Sequence, residues 1–137
     1  MSQFRKVTEH LSVSPQITPE EARVAVAQGF VLIINNRPDG EAPDQPASRE
    51  IEAAARDAGA QYLAIPVVGR PTAEQADAQA KAVAAAKGPV LAFCRSGTRS
   101  IAAWALGEHG ARRTPRHELI RLAKAAGYDL EPLLPPS

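Results

Sequence analysis

Seven consecutive residues, Cys94-Arg95-Ser96-Gly97-Thr98-Arg99-Ser100, carry the most chemistry in this chain. The apolar run Pro89 to Phe93 leads into them, and the helix-favouring run Ile101-Ala102-Ala103-Trp104-Ala105-Leu106 follows. A short apolar run bounded by turn residues reads as a buried strand, and the alanines and leucine favour a helix. Cys94 therefore falls where a strand ends and a helix begins. The backbone N–H groups of such a loop and of the first helical turn form an anion cradle. The same field, with Arg99 close by, stabilises a thiolate. Gly97 permits the tight turn. The chemistry this spacing points to is a cysteine nucleophile at the base of an anion pocket. A lone Cys closing a strand is also what a small buried core residue looks like; the Gly and Arg placed just after it favour the reactive reading.

The elements around this loop follow from the rest of the chain. Val7, Leu11 and Val13 suggest one edge strand or two short extended pieces. Thr18-Pro19-Glu20-Glu21 predicts a capped helix start with proline in the first turn, ending at Gly29. Phe30 to Ile34 is a β-branched and apolar central strand. It opens into the polar loop Asn35-Asn36-Arg37-Pro38-Asp39-Gly40, at a strand end where ligand loops of open α/β sheets lie. Ser48 is the predicted N-cap of a helix to Ala58. A strand over 61–67, a Thr72-capped helix to Lys87, the strand into Cys94, a helix to His109 and a last helix capped by Thr114 complete the order. Strands alternating with helices predict an α/β fold, a mostly parallel sheet with helices on both faces. Residues 1–131 form the expected domain and 132–137 a loose tail.

The 137 residues fit one core, and the 45 % hydrophobic and 23 % charged composition is that of an ordinary globular protein. A net charge of +1 gives no reason to expect nucleic acid or an anionic membrane as partner. A single Cys leaves no internal disulfide and no resolving thiol, so any adduct on Cys94 must be discharged by water or an outside molecule. Three His without ligand spacing predict no metal site, and no cofactor is expected. With no signal-like or membrane-length apolar run, a cytoplasmic location is the expectation.

Around the cradle, Arg37 reads equally as a pocket-rim cation and as a solvated loop charge. Arg95 adds a second positive charge beside the pocket or faces solvent. Ser96 and Ser100 are hydroxyl donors to the sulfur, though Ser100 is also an ordinary helix-start residue. Gly97 and Thr98 complete the anion-binding set. Asp39 is either a general acid or a turn residue of Pro38-Asp39-Gly40. Trp104 reads as core, and His109 and His117 as surface.

Four stretches carry a family resemblance: Ile33-Ile34-Asn35-Asn36-Arg37-Pro38-Asp39-Gly40-Glu41, Ile65-Pro66-Val67, Cys94 to Ser100 with Trp104-Ala105-Leu106, and Ala126-Gly127-Tyr128-Asp129-Leu130. In that order the chain resembles the phosphatase-like domain of beta-lactamase hydrolase-like proteins. The resemblance implies a dual-specificity-phosphatase-like fold with Cys94 as nucleophile. Related domains fused to sulfide- and persulfide-metabolising enzymes imply sulfur transfer instead. Two departures weigh on the choice. Tyrosine-phosphatase loops place Arg where this chain has Ser100, and here the arginine comes one position earlier, at Arg99. Cys94 to Arg99 is in this respect similar to a rhodanese loop, a smaller cradle suited to a persulfide sulfur. A general-acid Asp commonly stands in dual-specificity phosphatases where this chain has Gly69.

Three functions follow, in this order. The first is a cysteine-dependent, rhodanese-like sulfurtransferase, with a Cys94 persulfide, Arg99 holding the donor, and partners thiosulfate or a persulfide plus a thiol acceptor. The alternative is a cysteine-based phosphatase acting on a phosphate ester through a cysteinyl-phosphate, with Arg99 reaching the phosphate and Asp39 as acid. The third is a non-catalytic module that binds an anion or a protein.

Overall fold

The computed structural model describes residues 3–136. Five strands form one sheet: β1 (Arg5–Lys6), β2 (Leu11–Ser14), β3 (Leu32–Asn35), β4 (Gln61–Ala64) and β5 (Val90–Phe93). Their spatial order is β1-β2-β5-β3-β4. β1 runs antiparallel to β2, and the other neighbours are parallel. The helices are α1 (Pro19–Ala27), α2 (Ser48–Asp57), α3 (Ala73–Ala85), α4 (Thr98–Gly110) and α5 (Arg116–Ala125). This is the expected α/β fold, a mostly parallel sheet covered on both faces.

Side-chain alternation in the central strands explains the two layers. Ile33, Leu91 and Phe93 point to one face and pack with Ala22 and Ala25 of α1 and Ile51, Ala54 and Ala55 of α2. Leu32, Ile34, Val90 and Ala92 point to the other and pack with Ala80 and Val83 of α3, Ile101 and Trp104 of α4, and Leu119 and Ala123 of α5. Where α3 meets α4 the backbones come very close: a Cβ on Gly107 would run into the Ala76 carbonyl and the Ala80 side chain. The alanine richness of α3 is what allows that approach.

Local sequence sets most helix starts. Thr18 Oγ1 accepts from Glu21 N at 3.1 Å while the Glu21 carboxylate accepts from Thr18 N at 2.8 Å, a reciprocal capping box. Thr72 does the same with Gln75. Two expected caps differ. Ser48 is the first helical residue of α2 and not its cap; its N–H is satisfied by Asp39 Oδ1 at 2.8 Å, from the preceding loop. Pro115 takes the cap position of α5, because the Thr114 hydroxyl donates instead to buried Glu108 at 2.9 Å. The segment expected as a loose tail is partly packed: Leu134 is buried, and Arg70 Nη2 donates to the Leu133 carbonyl at 2.8 Å. Among the described residues no helix is long and apolar enough to cross a membrane.

The sheet register places the functional loops. Ser14 and Asn35 both pair with Phe93, and Ala64 pairs with Asn35. Four parallel strands thus end in one row, so the loops beginning at Pro15, Cys94, Asn36 and Ile65 leave the sheet side by side. Cys94 N donates to Ser14 O (3.4 Å), Asn36 N to Phe93 O (2.8 Å) and Ile65 N to Asn35 O (2.9 Å), continuing the ladder one step past the strands.

Candidate functional site

Cys94 sits at the end of β5 with no exposed surface. Gly97 turns the chain with φ +93°, in the left-handed region that favours glycine, and serves as the backbone cap of α4. Gly97 N–H points back and donates to Cys94 Sγ at 3.1 Å. The first intrahelical bond of α4 runs from Ile101 N to Gly97 O at 3.0 Å. The amides before it in the first turn have no intrahelical acceptor. One of them, Thr98 N, bonds the Ser96 hydroxyl at 3.3 Å. The positive end of a 13-residue helix is therefore directed at the sulfur.

Arg99 is held with its donors distributed in a telling way. Nη1 donates to Glu41 Oε2 at 2.8 Å and to the Val67 carbonyl at 2.7 Å, and Nη2 donates to Glu41 Oε1 at 2.9 Å. Both Nη1 protons are spent. The Nε proton and the second Nη2 proton remain, and they share one edge of the planar guanidinium. The hydrogen bond to Glu41 foremost outweighs desolvation and holds the Arg99 pKa above its ordinary value, with Cys94 near enough to add to the effect. Arg99 thus lies near enough to Cys94 to interact with it electrostatically despite the short spacing.

Glu41 is gripped in turn. Arg37 Nε donates to Glu41 Oε1 at 2.9 Å, and Arg37 Nη1 to Gln16 Oε1 at 3.1 Å. The Arg37 side chain is only 5 % exposed. The Arg99 hydrogen bond chiefly, and Arg37 behind it, outweigh desolvation and lower the Glu41 pKa to about 2. Glu41 is accordingly a carboxylate at neutral pH. The loop carrying it is tied down by Gln45, whose Oε1 accepts from Glu41 N at 3.1 Å and whose Nε2 donates to Pro38 O at 2.9 Å.

A buried polar network braces the floor of the site. Asn36 Nδ2 donates to Gln79 Oε1 (2.7 Å) and to Ile65 O (3.0 Å), and Gln79 Nε2 donates to Asn36 Oδ1 and to Ser100 O, both at 3.0 Å. This ties β3, the segment after β4, α3 and the first turn of α4 together with every amide hydrogen-bonded. Ser100 Oγ is buried and makes no hydrogen bond among the described residues, leaving one hydroxyl unspent beside the loop.

The structure brings Cys94, Gly97, Arg99 and Ser100 together. Ser96 and Thr98 are exposed and bond each other through their hydroxyls at 3.0 Å. Arg95 is exposed. Arg37 is buried, and its contacts go to Glu41, Gln16 and Asn35, behind the site. Asp39 is exposed, with Oδ1 on the start of α2. The segment from Ile65 to Pro71, where a general acid would stand, holds Gly69 at φ +67° and no carboxylate. Sequence reasoning missed Glu41, Gln79 and Tyr128. Glu41 carries a local signal, a carboxylate four residues after Arg37. Its partner Arg99 lies 58 positions away, beyond local pattern.

The model of the beta-lactamase hydrolase-like protein, phosphatase-like domain, matches residues 3–111. A beta-lactamase hydrolase-like protein of Xylella fastidiosa is 42 % identical over 126 residues, covering 90 % of this chain and 29 % of that protein. The chain thus spans under a third of that relative. A putative phosphatase of Neisseria meningitidis has a crystal structure with 35 % identity, TM-score 0.82, and coverage of 96 % of this chain and 94 % of that one. P. aeruginosa TpbA in complex with pTyr shares the fold alone, at 14 % identity and TM-score 0.65, covering 94 % of this chain and 76 % of that one. These findings support the cysteine-based phosphatase, the second reading of the sequence, and lend none to sulfur transfer, the first.

Proposed function

Because the chain belongs to the phosphatase-like-domain family of beta-lactamase hydrolase-like proteins, we propose that it hydrolyses phosphate monoesters with Cys94 as nucleophile. The observation that carries this reading is the arginine accounting. Glu41 and Val67 occupy three Arg99 donors and leave the Nε/Nη2 edge unspent, with Cys94 near enough to act on the arginine electrostatically. A guanidinium edge with two parallel donors matches two oxygens of a tetrahedral phosphoryl group. The first-turn amides of α4 supply further donors to the same oxygens.

In the first step the Cys94 thiolate attacks phosphorus. The S–P bond forms as the P–O bond to the leaving group breaks, and its electron pair departs on the leaving oxygen. In the second, water attacks phosphorus, the S–P pair returns to Cys94, the water's proton passes to solvent, and inorganic phosphate leaves. The unspent Ser100 hydroxyl is available to the returning thiolate. No carboxylic acid stands ready to protonate the leaving oxygen: Glu41 is ionised, and Asp39 serves α2. General acids contribute about 100- to 10,000-fold, so the substrates favoured are esters whose leaving group departs as a stable anion, aryl phosphates above alkyl ones. The pTyr bound by TpbA is of that class.

The test is hydrolysis of p-nitrophenyl phosphate with acid quenching and intact-mass measurement, beside Cys94→Ser. Turnover and a phosphate adduct on Cys94, both absent from the variant, are expected. A sulfur adduct from thiosulfate, discharged by added thiol, in place of a phosphate adduct would reinstate sulfur transfer. Neither adduct would leave an anion- or protein-binding module.

A further inference from the structure

One peptide unit of the Cys94 loop is gripped at both ends. The Ser96–Gly97 peptide is trans and planar, so its carbonyl and its N–H point in opposite directions. The N–H, of Gly97, donates to Cys94 Sγ at 3.1 Å. The carbonyl, of Ser96, accepts from Tyr128 Oη at 2.9 Å. Glycine adopts either sign of φ with little penalty, so residue 97 does not itself hold this peptide one way up. Turned over, the peptide would present a carbonyl oxygen to the sulfur in place of a donor. An electronegative oxygen there would repel a thiolate and any anion bound in front of it.

Tyr128 is well placed to prevent this. It follows α5 through Gly127, and its N–H donates to Ala123 O at 2.8 Å, which fixes its backbone to the helix end. Arg5 covers the ring from β1, with its guanidinium carbon 5.4 Å from the ring centroid. A Cβ on residue 97 would collide with the Tyr128 hydroxyl, so the loop and the phenol are in direct contact. Burial, foremost among its surroundings, holds the Tyr128 pKa above the usual phenol value and keeps the hydroxyl a donor at neutral pH.

We propose that Tyr128 is a positioning residue whose hydroxyl locks the Ser96–Gly97 peptide with its N–H toward Cys94. The lock acts on the nucleophile through the loop and touches no substrate. It rests on the reading of Cys94 as a nucleophile, and its test does not need turnover.

The test is the rate of Cys94 alkylation by iodoacetamide at fixed neutral pH in wild type, Tyr128→Phe and Arg5→Met, each shown folded by circular dichroism. Iodoacetamide reports on the sulfur whether or not the protein hydrolyses phosphate esters. Tyr128→Phe keeps the ring and removes one hydrogen bond, so alkylation is expected to slow about three- to tenfold as the thiolate loses its donor. A packing role alone predicts the opposite sign, because loosening the loop over a fully buried sulfur speeds its reaction. Alkylation of Tyr128→Phe at the wild-type rate or faster overturns the lock. Arg5→Met retains the hydroxyl and is expected to react within about twofold of wild type. Slowing equal to that of Tyr128→Phe would place the effect in the C-terminal segment as a whole and overturn it too.

Discussion

The loops that follow β5 and β3 leave the sheet side by side and contribute in opposite ways. The β5 loop runs from Cys94 to Arg99 and is organised by backbone: a left-handed glycine, an N–H on the sulfur and the start of α4. The β3 loop is organised by side chains. Asp39 satisfies the start of α2, Gln45 closes the turn, and Arg37 backs Glu41. The first loop holds Cys94, the proposed nucleophile, and Arg99. The second holds no nucleophile, and its cation, Arg37, backs Glu41, which decides which edge of Arg99 is free. A loop outside the proposed reacting groups can therefore set the geometry of the one that carries them, by occupying donors of Arg99.

The comparison breaks hardest at Arg99. Removing one preorganised donor group from a developing oxyanion costs about 100- to 1,000-fold in rate, and Arg99→Ala is expected to lose that much in kcat/KM for p-nitrophenyl phosphate. Arg99→Lys retains the charge but offers no paired edge, so it should recover only a minor part. Full recovery with lysine would mean that charge alone matters and that the edge selection by Glu41 is incidental.

Glu41 is the sharper probe, because it leaves Arg99 in place. Glu41→Gln keeps an accepting oxygen but gives up the charge-assisted bidentate pair, and about a tenfold fall in kcat/KM is expected from the misorientation of Arg99. Steady-state kinetics on the two variants and their double mutant check it. In the presence of Arg99→Ala the Glu41 substitution should cost little, since both act through one group. Additive losses would show that Glu41 acts on the reaction by another route.

The contrast between the loops also explains what the sequence disclosed. The β5 loop was legible because its determinants are consecutive: an apolar strand, Cys94, Gly97, Arg99 and a helix-forming run. The central strands, the Thr18 and Thr72 caps and the sheet class were legible for the same reason. The β3 loop was not. Its sequence offered Arg37 and Asp39 as the charged candidates, and each proved to have a bonded partner only the fold could supply, Gln16 and Ser48. Tyr128 sat in a stretch already marked by resemblance, but nothing local says that a phenol after α5 reaches the carbonyl of Ser96. The spacing of Cys94 and Arg99 favoured a small cradle. Arg99 nevertheless lies near enough to Cys94 to interact with it electrostatically, and Glu41 and the Val67 carbonyl hold it from outside the loop.

The smallest expected effects separate stability from chemistry. Asp39→Asn preserves an accepting oxygen for Ser48 N–H, and Asn and Asp cap comparably. It gives up a charge near the start of α2, about 0.3–1 kcal/mol in stability, and should leave kcat/KM unchanged within about twofold, since a general acid would cost at least about a hundredfold. A large rate loss would return Asp39 to the reaction. Glu41 adds a dependence on pH. Its pKa falls from 4.5 to about 2 on folding, chiefly through Arg99. A lowered carboxyl pKa stabilises the fold above the unfolded value and stops doing so as pH falls through the folded one. The melting-temperature gap between wild type and Glu41→Gln should therefore be constant above about pH 5, narrow as pH drops below 4.5, and close near 2. A gap for Glu41→Gln that stayed open at pH 2 would mean that the β3 loop holds Arg99 by shape and not by charge.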